Sequence, residues 1–160
     1  MSKIIVEVEY NGVARVTLNN PEKQNAFNDA IIRELTHAFY GIASNSDVRL
    51  MILNSTGKNF SAGADLAWMK KMASYSHEKN LSDAKVLSEM FKSLHEMPQP
   101  TIVRIQGAAM GGALGLISCC VIALAEADSS FALSEVKLGL IPATISPYAV
   151  PAKGPRAARR

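Results

Sequence analysis

Apolar and polar positions alternate over residues 4–10 and again over 13–18, on either side of Asn11-Gly12. This predicts two strands joined by a hairpin in which both central turn residues take positive φ. Asn19, Asn20 and Pro21 end the second strand. From Asn28 onward the period changes: Ile32, Leu35, Phe39 and Ile42 recur at spacings of three or four, predicting an amphipathic helix that starts near Asn28 or Asp29. Val48–Leu53 reads as a buried strand, 54–64 as a loop, and Asp65 as the cap of a short helix through Met72. Leu81, Ala84, Leu87, Phe91 and Leu94 mark a longer helix that Met97–Pro100 stops. Strands follow at Thr101–Ile105, 121–125 and Phe131–Leu133, with a helix over 111–119. The order of these elements, with strands that lack strict alternation, predicts an α/β fold built on a largely parallel, buried sheet.

With 160 residues, 48% of them hydrophobic, the chain is long enough for one domain with a real core and short for two. The expected division is a core domain over 1–146 and a Pro/Arg-rich end over 147–160, interrupted by Pro147, Pro151 and Pro155. The net charge of +3 rests on that end: Lys153, Arg156, Arg159 and Arg160 supply four positive charges, which leaves residues 1–152 at −1. The charge therefore argues against a nucleic-acid partner, with a basic arm for polyanions as the weaker alternative. Cys119 and Cys120 are neighbours in an apolar run and read as buried, unreactive thiols in a reducing compartment. Met1 to Ile5 leads straight into a strand pattern with no apolar leader, so a cytoplasmic location is expected. Ala108–Ala125 carries no charge, yet its glycines and serines and the β-prone Val121–Leu124 favour a buried helix followed by a strand over a membrane span. His37, His77 and His95 share no ligand-like spacing, so no metal is expected.

Two glycine-rich segments carry the candidate chemistry: SAGADL at 61–66 and AAMGGALG at 108–115. Ala64 N–H lies at the start of the helix that Asp65 begins, and Gly112 N–H at a second helix start, where unpaired donors favour an anion. If both point into one cavity, they flank a carbonyl oxygen and form an oxyanion hole, the equipment for holding a thioester enolate. Two other readings compete: glycines that only let helix pack on strand, and a dinucleotide site at GGALG, against which the GxGxxG spacing is absent.

NPEKQNAF at 20–27, GKNFSAGADL at 57–66, IQGAAMGGALGL at 105–116 and SEVKLGLIPATISPY at 134–148 resemble the crotonase (enoyl-CoA hydratase/isomerase) superfamily. Within it, the chain is most similar to 3-methylglutaconyl-CoA hydratase-like members. The resemblance implies a spiral of ββα units and a bent acyl-CoA whose thioester oxygen takes hydrogen bonds from Ala64 and Gly112. It places Ala26, Ala62, Asp65 and Leu66 near the adenine and pantetheine of CoA, Gly111 beside the thioester, and Lys23 and Lys58 near phosphates. Glu135 falls on a catalytic glutamate of the family, a carboxylate suited to moving protons. Gly115 stands where two-glutamate hydratases carry a second acid, and the expectation is that it makes room for the branch or distal carboxylate of the substrate. Val121 stands where the family commonly has an acid. Family chains continue past this point with helices that cover the acyl pocket and build the trimer, so the chain reads as lacking that C-terminal helical region.

The resulting expectation is a lyase that adds water to a branched α,β-unsaturated acyl-CoA, as in fatty acid or leucine degradation. It would need no cofactor beyond the CoA its substrate carries, and it would assemble as a homotrimer or dimer of trimers. The alternatives are an enoyl-CoA isomerase working with Glu135 alone, and a catalytically silent acyl-CoA-binding or assembly protein.

Overall fold

The hairpin forms where the alternation places it: β1 (Ile4–Val8) pairs antiparallel with β2 (Val13–Leu18), Ile4 opposite Leu18 and Val8 opposite Ala14. The computed structural model describes residues 2–159. The turn departs from expectation. Gly12 alone is left-handed (φ 83°), and its N–H donates to Glu9 O at 2.9 Å. Asn11 stays out of that region because its side chain closes the turn instead, accepting from Val13 N–H at 3.0 Å.

From β2 the chain winds as a spiral. Each turn adds one strand parallel to the last: β3 (Leu50–Ser55) on β2, β4 (Thr101–Ile105) on β3, and β6 (Ile122–Ala125) on β4. The predicted parallel sheet is therefore present, with β1 as its antiparallel edge. A second, narrower sheet runs beside it, of which the sequence reading held only the strand at Phe131–Leu133. Its paired strands are β5 (Ala108–Met110) and β7 (Ser130–Ala132), extended by single bridges from Ser61 to Ala109 and from Phe27 to Ala64. Each turn thus contributes to both sheets in the same order, which is the ββα spiral expected from the resemblance.

Helices close one side of the sheet. Asn28 caps α1 (Asp29–Ala43) by accepting from Ile31 N–H at 3.0 Å, and the helix buries Ile31, Ile32, Leu35, Phe39 and Ile42. It packs against α3 (His77–His95), with Tyr40 hydroxyl bonded to Glu89. Asp65 caps the short α2 (Leu66–Met72). The uncharged run resolves into β5, then α4 (Gly112–Cys119), then β6, and no helix among the described residues is long and apolar enough to cross a membrane. Past 146 the chain is helical despite its prolines: α5 (Ser146–Lys153) lies on α4 with Ala149 buried, and α6 (Pro155–Ala158) follows. Pro147 sits in the first turn of α5, where its missing N–H costs nothing, and Pro151 is tolerated in so short a helix. Arg160 lies outside the described residues.

Gly115 has a packing task that the sequence reading did not foresee. A methyl group there would lie 2.5 Å from two carbons of the Phe91 ring, which is fully buried. The room expected beside Gly115 for a substrate branch is filled by that ring, and α4 approaches α3 closely because position 115 has no side chain.

Two outcomes follow. Gly115→Ala gains about 1 kcal/mol of helix propensity but overpacks Phe91 at about 1–3 kcal/mol, so its urea midpoint is expected to fall; a midpoint at or above wild type means the ring has room to move. Asp65 is held below its ordinary carboxylate value, first by Trp68 N–H and then by the Lys23 charge and Ala67 N–H. Its contribution to stability is therefore complete above the unfolded value of about 3.9 and is lost as pH falls through the lower folded value. Asp65→Ala is expected to cost about 1 kcal/mol at pH 7, with the gap to wild type shrinking in denaturation curves taken at progressively lower pH below that point. A gap that stays constant would remove the cap argument.

Candidate active site

The site begins with Phe27. In an extended pair, successive N–H groups point to opposite sides. Phe27 N–H donates to Gly63 O and Asp65 N–H donates to Phe27 O, both at 2.7 Å, which turns Ala64 N–H away from Phe27. Gly63 N–H is taken by Ser61 Oγ at 3.0 Å, and the Ser61 hydroxyl donates to Asn25 O at 2.8 Å. Asn25, buried and left-handed (φ 53°), ties the neighbouring loops together. Its side chain accepts from Asn20 N–H at 2.8 Å and donates to Thr56 O at 2.8 Å and Asn59 O at 3.2 Å.

The second segment is fixed in the same way. Met110 N–H donates to Ser61 O at 3.0 Å and Gly111 N–H to Ala132 O at 2.9 Å, after which the backbone turns into α4. Gly112 is the first residue of that helix, so its N–H has no acceptor within it. The segments meet at Gly63 (φ 81°), where a methyl group would lie 2.5 Å from Met110 O and 3.3 Å from Gly112 N. Only glycine fits that contact and that backbone. Among the described residues, neither Ala64 N–H nor Gly112 N–H donates a hydrogen bond.

Between them opens a cleft of about 80 Å³ lined by Ala62, Ala64, Leu66, Met69, Gly111, Gly112, Ser134 and Glu135. Glu135 arrives from the fourth turn of the spiral, on a 3-10 turn over Ser134–Leu138 that follows β7. Its Oε2 is buried and has no hydrogen-bond partner among the described residues, and its Oε1 lies 3.2 Å from where a methyl group on Gly111 would stand. The carboxylate thus borders the space that glycine leaves open. It is the one titratable group among the lining residues.

The structure brings Glu135, Ala64, Gly112, Gly111, Ala62 and Leu66 to one cleft. Gly115 does not line it. Asp65 faces Lys23, whose exposed Nζ is 3.6 Å from Oδ2, and Ala26 is buried beneath this surface. Lys58 is exposed. Sequence reasoning missed Met69 and Ser134 as lining residues and Phe27, Ser61 and Asn25 as supports, although all except Met69 lie inside the quoted motifs. Cys119 is buried and Cys120 half-buried; burial pushes both thiols up, Cys120 to about 12. Among the described residues no three His, Cys, Asp or Glu side chains converge as metal ligands do.

A family model described as enoyl-CoA hydratase/isomerase matches residues 8–160. A putative enoyl-CoA hydratase of Thermus thermophilus is 32% identical over 97% of this chain and 61% of its own length. The mitochondrial Delta(3,5)-Delta(2,4)-dienoyl-CoA isomerase of Mus musculus is 34% identical over 80% of this chain and 42% of its own. The crystal structure of an enoyl-CoA hydratase from Shewanella pealeana superposes with a TM-score of 0.96 at 48% identity, covering 99% of this chain and 60% of that one. The chain thus spans about 60% or less of the length of these relatives. With the fold, the paired glycine segments and the family model in agreement, the chain belongs to the enoyl-CoA hydratase/isomerase family.

Proposed function

We propose that the chain carries the thioester-polarising and proton-transferring parts of an enoyl-CoA hydratase, acting on a branched α,β-unsaturated acyl-CoA of the 3-methylglutaconyl type. The observation that carries this reading is the convergence of two free backbone donors, Ala64 N–H and Gly112 N–H, beside an unpartnered buried carboxylate oxygen of Glu135. The donors take the thioester oxygen and stabilise the negative charge it gains as the enolate forms. Glu135 removes a proton from water as the water oxygen bonds to C3, the double-bond electrons move onto the thioester oxygen, and the protonated Glu135 then delivers its proton to C2. Water is thereby added in full, and the carboxylate is regenerated.

CoA enters as part of the substrate. In this reading Ala62 and Leu66, which line the cleft, and the nearby Asp65 and Ala26 contact its pantetheine and adenine, and the exposed Lys23 meets a phosphate. No cofactor or metal is needed for this chemistry. Exposed Val121, Ile122, Leu124, Val136 and Ile141 on the fourth turn support an assembled form that covers this apolar surface; the reading takes that form as a homotrimer or dimer of trimers, working in the cytoplasm in acyl-CoA or leucine breakdown.

A second reading, isomerisation, is favoured by the same single carboxylate, since one base suffices to carry a proton between carbons of an enolate. The two readings separate in labelled water. Incorporation of solvent oxygen into product, abolished in Glu135→Gln by about 10²-fold or more, is expected for hydration; double-bond migration without oxygen uptake would replace it with isomerisation. Acyl-CoA binding with no turnover, indifferent to Glu135→Gln, would reduce the chain to a binding protein.

A further inference from the structure

We propose that Ser134 holds the attacking water, as the second side-chain partner that a single carboxylate leaves unfilled. The inference rests on the hydration reading above. A water positioned for attack on C3 needs one hydrogen bond to the base and a second to fix which lone pair faces the carbon. Among the residues lining the cleft only Glu135 and Ser134 have polar side-chain atoms; the others offer backbone, methyl or thioether groups. The Ser134 hydroxyl is not used elsewhere: among the described residues it makes no hydrogen bond, and it does not cap its own 3-10 turn. Its position fits the task. Ser134 Oγ and Glu135 Oε1 lie 3.7 Å and 3.2 Å from a single point beside Gly111, the place a methyl group there would take. Both oxygens therefore face the one volume that the glycine keeps open, next to the Gly112 donor. A hydroxyl can accept the second O–H of a water or donate to its oxygen, which suits a group that must orient water without competing for its proton.

The reaction offers a readout that separates water-holding from fold or base. With a saturated acyl-CoA in deuterated solvent, Glu135 and the two backbone donors suffice to exchange the C2 proton through the enolate, a step that uses no attacking water. Ser134→Ala is therefore expected to lower kcat for hydration by about tenfold or more, the worth of one hydrogen bond at a reacting group, with KM little changed. Its C2 exchange falls far less, so the ratio of hydration to exchange drops about tenfold. Ser134→Thr, which keeps the hydroxyl, restores that ratio. Hydration by Ser134→Ala at the wild-type rate overturns the proposal, and so does an equal loss of hydration and exchange, which would assign Ser134 to holding Glu135 or the fold. Retained hydration in Glu135→Gln, or no hydration by the wild-type chain, would instead overturn the hydration reading itself.

Discussion

The backbone pairing of Phe27 with Gly63 and Asp65 is the constraint on which the site depends. Two hydrogen bonds at 2.7 Å fix the plane of the intervening peptides, and with the Gly63 N–H consumed by Ser61 the Ala64 N–H is left pointing into the cleft. An oxyanion donor has to be rigid before the charge develops, because reorienting it during reaction would consume the stabilisation it provides. Here rigidity comes from buried, saturated hydrogen bonding one layer below the cleft. The donors themselves are backbone groups, so their side chains are small and carry no chemistry; the specificity of the arrangement resides in Phe27, Ser61, Asn25 and the contact between Gly63 and Gly112.

Much of the long-range order was legible because the chain states it locally. The 3.6-residue recurrence of Ile32, Leu35, Phe39 and Ile42, with Asn28 before it, defines α1 and its cap together, and Asp65 marks the start of α2 by the same physics. The narrow second sheet showed itself only as the short strand at Phe131–Leu133. Its other members are the three-residue β5 and single bridges at 27, 61, 64 and 109, too short for alternation to register, and β5 is hidden inside a glycine-rich run whose composition reads as turn or helix. At the end of the chain the prolines interrupt the pattern without preventing helix: Pro147 stands in the first helical turn, where it is tolerated, so the segment from 147 packs as α5.

The site residues divide along the same line. Ala64, Gly112 and Glu135 were identifiable from motif context, while Gly115 was misread because a glycine in sequence does not say what fills the space it vacates. Only the folded structure shows the Phe91 ring there, and the cleft beside Gly111 at the start of α4. Ser134 escaped notice for the opposite reason: a serine beside a glutamate is an ordinary surface pair until its hydroxyl is seen facing the same point as the carboxylate.

In the proposed mechanism, polarisation and proton transfer come from parts of the molecule with different support. The two donors sit on the second and third turns of the spiral, whose strands β3 and β4 are flanked by parallel neighbours and bury Met51, Leu53, Val103 and Ile105 in the core. Glu135 sits on the fourth, where β6 is the exposed edge of the main sheet, paired with β4 alone, and β7 is held by β5, through Gly111 N–H to Ala132 O and Ser130 N–H to Gly107 O. Local opening is easiest where backbone hydrogen bonds are few and apolar surface is uncovered. The proposed oxyanion donors are thus held by a well-buried part of the fold and the proposed base by a more exposed one. Whatever covers the exposed side chains of the fourth turn acts first on the position of Glu135, and so on the rate of proton transfer, before it acts on the hold over the thioester oxygen.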